Sequence, residues 1–208
     1  MQNLPGSYII SIDPGFDHLA ILTLVFKIDA PNRQIYFQVL SSSVNDIGEP
    51  SENVVQWSIA VDECFKKNGI YSLSADRAMC LIEQGFLSYY HSPNNPYAFV
   101  SKVRLRLLES TLYNILTRAH RITTFFLPAL DVRRYFNHGT GNHYGNKKES
   151  VKLTRKFLDN CEGDTESLKS FLLPSNSMED NHLCDAFNQF VFFLMNNLQL
   201  EDYTLFAM

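Results

Sequence analysis

The sequence predicts a mixed α/β fold. We expect a five-stranded sheet, three antiparallel strands followed by two parallel ones, with helices on both faces. Three observations lead there. The first forty residues hold three strand-like runs, and beyond residue 54 strand-like runs alternate with segments of helical spacing. Two short apolar runs, Tyr8-Ile9-Ile10 and Ala78-Met79-Cys80-Leu81-Ile82, are each followed within a few residues by a carboxylate, Asp13 and Glu83. Antiparallel strands first and β-α alternation afterwards describe a mixed sheet covered on both sides.

The elements follow in order. Residues 8–12 are short and apolar, as a central strand should be. Residues 19–28 and 34–40 are rich in β-branched and aromatic side chains, and Pro31-Asn32-Arg33 between them marks a hairpin turn. Residues 41–50 read as a polar loop. A helix follows, in which Val54, Val55, Ile59, Val61, Cys64 and Phe65 approximate helical spacing. Residues 78–83 form a near-continuous apolar strand, buried on both sides. A helix over about 100–119 is predicted from Val103, Leu107, Thr111, Leu112, Ile115 and Leu116. A fifth strand at 122–127 ends at Pro128, and a short helix covers 130–136. The glycine- and histidine-bearing stretch 137–146 is a loop. Helices at 147–158 and 181–198 complete the list.

A length of 208 residues fits one domain, 1–199, followed by a tail at 200–208. The apolar side chains of that tail (Leu200, Tyr203, Leu205, Phe206) can dock on the body or on a second subunit. Apolar residues make up 45% of the chain, enough for a sizeable core. No apolar run approaches the ~20 residues of a membrane span, so no membrane partner is expected. The first residues lack a basic stretch leading into an apolar one, so no secretory signal is expected. Cys64, Cys80, Cys161 and Cys184 lie far apart without metal-ligand spacing, which points to free thiols and a reducing intracellular compartment. The net charge of −4 taken alone argues against a nucleic-acid partner, but the distribution does not. Residues 102–156 carry 12 Lys and Arg against three acids, Glu109, Asp131 and Glu149. Such a bipolar chain can present one strongly positive face to phosphates; ordinary solvated helix faces are the alternative.

Chemistry concentrates at four positions. Asp13 and Glu83 follow strands that would be neighbours if they pair centrally. His182 and Asp185 stand three apart at the head of a Phe-rich helix and share one face. Carboxylates that finish apolar strands are costly to bury without partners. A shared divalent cation supplies the missing partner, and this donor set suits one or two Mg²⁺ or Mn²⁺ ions. The imidazole favours Mn²⁺, or leaves His182 available for proton transfer.

Four stretches carry a resemblance to a known family: Ile12-Asp13-Pro14-Gly15-Phe16-Asp17-His18-Leu19; Ile82-Glu83-Gln84-Gly85-Phe86; Asp131-Val132-Arg133-Arg134 with Lys147-Lys148-Glu149-Ser150-Val151; and His182-Leu183-Cys184-Asp185-Ala186. In order and spacing the chain resembles the RuvC-type Holliday junction resolvases of the RNase H-like superfamily, over residues 13–187. Any one stretch alone would be weak; together they are specific. The resemblance implies an RNase H-like fold and a metal-binding catalytic set of Asp13, Glu83, His182 and Asp185. Some members of that family carry Asp where this chain has His182, and Asp180 could substitute if the helix starts earlier. The resemblance further implies that Phe86 wedges between base pairs, with core packing as the alternative. Arg133 and Lys148 match basic positions that contact DNA phosphates, and Arg134 and Lys147 beside them complete the DNA-binding set. It also implies a homodimer built on the helix after Glu83 and a branched-DNA substrate, the four-way junction. Longer segments at 137–146 and 162–177 depart from compact members and leave sequence preference open.

Two other readings stay open at this level. One is a different RNase H-like nuclease, acting on RNA–DNA hybrids or in transposition. The other is a junction-binding protein that does not cleave.

Overall fold

The computed structural model describes residues 6–15, 18–48, 54–85, 96–136, 143–174 and 178–208. One seven-stranded sheet forms the centre, in the order β5-β4-β1-β2-β3-β7-β6. Strand β2 (His18–Asp29) runs antiparallel to both β1 (Ser7–Pro14) and β3 (Gln34–Asp46). Strand β4 (Ala78–Gln84) joins β1 in parallel, and β5 (Thr123–Pro128) joins β4 in parallel. These five strands are the ones expected, in the expected mixture of directions. Two short strands were not anticipated. β7 (Thr204–Ala207) adds in parallel to β3, and β6 (Glu162–Gly163) adds to β7.

Side chains alternate between the faces of the central strands and are almost all apolar. One face carries Ile9, Leu22, Leu24, Phe37 and Leu81. It packs against α3 (Ala129–Tyr135), α4 (His143–Asn160), α5 (Thr165–Leu172) and α6 (Met178–Phe192). The other carries Ile10, Ile12, Ile21, Cys80 and Ile82 and packs against α1 (Val54–Lys67) and α2 (Pro96–Tyr113). Helix α6 is the main support of the first face. Phe187 and Phe190 are fully buried, with ring centroids 6.2 and 5.7 Å from that of Phe37.

Several boundaries differ from the sequence reading, for physical reasons. Residues 41–46 continue β3 instead of forming a loop, because β2 offers backbone partners across a bulge at Thr23/Leu24. Their polar side chains find partners too: Ser42 Oγ donates to the Phe171 carbonyl and Asn45 Nδ2 to that of Leu19. Helix α4 begins at His143, so only 137–142 of the expected loop lie outside the described residues. Once nucleated, a helix extends at little cost through such a sequence. α6 begins at Met178 and passes into a wider π-helical turn at Phe193–Asn197. α2 likewise continues as a π-helical stretch, Asn114–Ala119. In α1, Trp57, Val61, Cys64 and Phe65 are buried, whereas Val55 and Ile59 face outward. In α2 the core face is Leu108, Leu112 and Leu116, and Val103 and Leu107 are exposed. All four cysteines are free. Among the described residues, no helix is long and apolar enough to cross a membrane.

Candidate metal centre

Asp13 and Glu83 reach the same place through register. β1 and β4 are parallel and paired through Ile12 and Ile82, so the next residue of each strand leaves the sheet at the same end. By strand alternation Asp13 shares the face of Ile9 and Ser11, and Glu83 that of Leu81, so both look toward α6. The first turns of α6 lie over these strand ends. Ser11 Oγ pins the helix by donating to the Ala186 carbonyl at 2.7 Å.

The result is a cleft of about 290 Å³ bordered by Asp13, His18, Glu83, Arg133, His182 and Asp185. Ligand atoms of Asp13, His182 and Asp185 all lie within 4.8 Å of one another. His182 Nδ1 is 2.8 Å from Asp13 Oδ2, and both residues are buried. Glu83 faces this trio. Desolvation at the base of the cleft, then the charges of Asp13 and Asp185, push its carboxyl well above the usual carboxylate range. Arg133 and a hydrogen bond from Gln189 Nε2, at 3.1 Å, offset part of that effect. Among the described residues lining the cleft, Arg133 is the one cation facing three carboxylates. Such excess negative charge, converging on one small volume, fits a divalent cation with oxygen and imidazole donors. Asp13, His182 and Asp185 would hold it, with Glu83 as a further ligand or as ligand to a second ion.

The other residues singled out in the sequence divide into three groups. Arg133 is half-buried and lines the cleft. Lys148 is exposed on α4, the helix that lines the cleft through Ser150 and Leu153. Arg134 turns away; it lines a separate hollow with Phe126, Pro128 and Asp131, 3.8 Å from the Asp131 carboxylate. Phe86 lies outside the described residues, as do the side chains of Lys147 and Asp180.

Several residues near the site were given no role by the sequence. His18 opens β2, with its Nε2 3.3 Å from His182 Nδ1 and the two ring centroids 3.9 Å apart. Gly15 makes room for it, because a Cβ there would strike the His18 imidazole. Gln189 is fully buried beneath Glu83, and Asn188 ties α6 to α4 by donating to Ser150 Oγ at 2.8 Å. The spacing of Gln189, four residues after Asp185 and seven after His182, was the available signal. Lys152 and Arg155, four and seven residues after Lys148, extend an exposed basic stripe along α4.

A mixed sheet in this order, with acidic strand ends closed by a helix carrying His and Asp, gives this chain a fold of the RuvC type. Comparison with solved structures agrees. The Thermus thermophilus RuvC structure superposes with a TM-score of 0.55 at 12% identity, over 91% of this chain and 96% of that one. T. thermophilus RuvC in complex with a Holliday junction substrate gives 0.56 at 13%, over 90% and 94%. The yeast mitochondrial Holliday junction resolvase Ydc2 gives 0.60 at 16%, over 96% of this chain and 82% of that one. No protein-family model and no curated sequence matches the chain.

Proposed function

We propose that this protein is a metal-dependent, structure-selective endonuclease that resolves four-way DNA junctions. The observation that carries the proposal is the convergence of Asp13, Glu83, His182 and Asp185 in one cleft that Arg133 of α3 also lines. The T. thermophilus RuvC complex with a Holliday junction substrate has the same fold and supports branched DNA as the ligand.

Bound Mg²⁺ or Mn²⁺, as a pair, would activate water and neutralise charge developing on the scissile phosphate. The chain's own groups do the rest. Asp13 and Asp185 hold carboxylates toward the ion site, and the contact with Asp13 fixes the orientation of the His182 ring. Desolvation, and after it the charges of Asp13 and Asp185, raise the pKa of the Glu83 carboxyl, and a bound cation would favour its ionised form. Arg133 faces the same cleft and orients a phosphate there, while Lys148, with Lys147 beside it, tracks the backbone along α4. Phe86 serves as the aromatic wedge at the junction centre, and Arg134 contacts DNA outside the cleft. Discrimination rests on junction shape and ease of distortion. Exposed Val103 and Leu107 on α2 support a homodimer through that helix, so that two sites face two opposed strands. Free thiols support a reducing compartment.

The test is incubation with a mobile four-way junction, a plain duplex and an RNA–DNA hybrid, with and without Mg²⁺ or Mn²⁺. Paired nicks on opposed strands of the junction, only with metal, are expected. Cleavage of the hybrid alone, or junction binding without cutting, would overturn the proposal.

A further inference from the structure

Helix α2 belongs to the opposite face of the sheet from α6, yet it reaches around to the carboxylate end of β4. Glu109, 2% exposed, accepts a hydrogen bond from the Gly85 backbone N–H at 3.0 Å through Oε1. Arg106, one turn earlier, donates to the Gly85 carbonyl at 2.7 Å and forms an ion pair with Glu109. Both polar groups of Gly85 are therefore held by one helix. The approach is close enough that a Cβ on Gly85 would strike Leu105 of the same helix.

Three features make this more than a packing detail. An ion pair with one partner buried, as Glu109 is here, is a weak source of stability, because desolvation offsets much of its attraction. The gripped residue lies two positions after Glu83, at the point where β4 leaves the sheet and the chain runs on to Phe86. Glu83 and Gln84 still pair with Leu127 and Pro128 of β5, so Gly85 is the first residue past the ladder, and the pair fixes its peptide from the far side.

We infer that Arg106 and Glu109 are positioning residues that clamp the Gly85 peptide and thereby hold Glu83 in the metal centre. The inference rests on the metal-centre reading above and adds a function for residues that touch neither ion nor DNA. Outer partners that orient a metal ligand typically contribute about 10–100-fold to metal affinity or activity, and this clamp acts one peptide further away.

Two variants test it. In Arg106→Leu/Glu109→Leu the ion pair is replaced by side chains that can pack, and Gly85 loses both partners. Arg106→Lys keeps the charge but cannot bridge Glu109 and the Gly85 carbonyl together. Mn²⁺ binding to the full-length protein without DNA is measured by electron paramagnetic resonance, alongside thermal melting and junction cleavage. We expect Mn²⁺ to bind about 10-fold more weakly in the double variant and roughly 3-fold more weakly in Arg106→Lys. kcat should fall in parallel, and the junction Kd in Ca²⁺ should stay unchanged. If the double variant does not fold, Arg106→Lys decides alone. Unchanged Mn²⁺ affinity in a folded variant overturns the inference, as does a wild-type protein that binds no Mn²⁺. Loss of junction cleavage by the wild type, with the Mn²⁺ differences intact, would sink the resolvase reading and leave the clamp standing.

Discussion

Gln189 donates its side-chain amide to Glu83 at 3.1 Å, and its own carbonyl oxygen lies 3.4 Å from the Ser11 hydroxyl. A fully buried amide thus links α6, β1 and β4 beneath the site, and its donation to Glu83 offsets part of the rise that burial imposes on that carboxyl. Gln189→Leu should weaken Mn²⁺ binding and cleavage by about 10-fold, within the range for an outer-shell partner. Titration of cleavage against Mn²⁺ checks this; an unchanged midpoint would count against the assigned role.

Asp13→Asn removes a charge from the centre of the cluster while keeping the side chain's size. Cleavage should fall by more than about 100-fold, beyond what an outer-shell change costs. Junction affinity in Ca²⁺ should hold, because phosphate contacts position the DNA without that carboxylate. Gel-shift and single-turnover assays on the same preparation separate the two.

The raised pKa of Glu83 fixes a sign for pH dependence. The native carboxyl binds its proton more tightly than the unfolded one, so the metal-free fold gains stability below the ordinary glutamate range. That gain is lost as pH rises through the raised native value. Divalent ions need the ionised form, so they restore more stability at pH 8 than at pH 6. Thermal melting with and without Mn²⁺ should show the larger shift at the higher pH, and Glu83→Gln should flatten the difference. Equal shifts at both pH values in the wild type would refute it.

Leu107 and Val103 lie four residues apart on the exposed face of α2. Leu107→Glu should give a monomer in sedimentation, with folding retained because the side chain is not in the core. Nicks on opposed strands should then lose their coupling. A variant that still sediments as the wild type does would refute the proposed dimer contact through α2.

Phe190 is fully buried, with ring centroids 6.3, 5.7 and 6.0 Å from those of Phe26, Phe37 and Phe187. Phe190→Ala should destabilise the fold by about 3–5 kcal/mol, read from chemical denaturation.

The sheet's central strands and the cluster of carboxylates were legible because burial on both faces leaves uninterrupted apolar runs, and charges ending such runs stand out. The helix phases of α1 and α2 were not. Val55, Ile59, Val103 and Leu107 fit a helical period but face outward, while Trp57 and Leu108 fill the core, and periodicity alone cannot choose between two apolar stripes. Residues 41–46 of β3 look like a loop because Ser and Asn are strand-poor, and only the partners supplied by β2, Leu19 and Phe171 make them a strand. Helix α5, although capped by Asp164 and carrying buried Leu168 and Leu172, lies in a stretch the sequence left unassigned. Glu109 was counted only as one acid in a basic region; Arg106 three residues earlier is visible in the sequence, but the Gly85 peptide that both hold leaves no trace in composition.

β7 seats residues 204–207 against residues 34–37, joining distant parts of the chain along what would otherwise be an open hydrogen-bonding margin of β3. During synthesis that margin stays bare until residue 204 has emerged, and an apolar ladder such as Ile35 and Phe37 can then recruit an identical neighbour. Sluggish refolding through long-range pairing follows from the same layout. Shortened versions ending before this point should therefore tend toward intermolecular aggregation even when the metal-binding residues are all present.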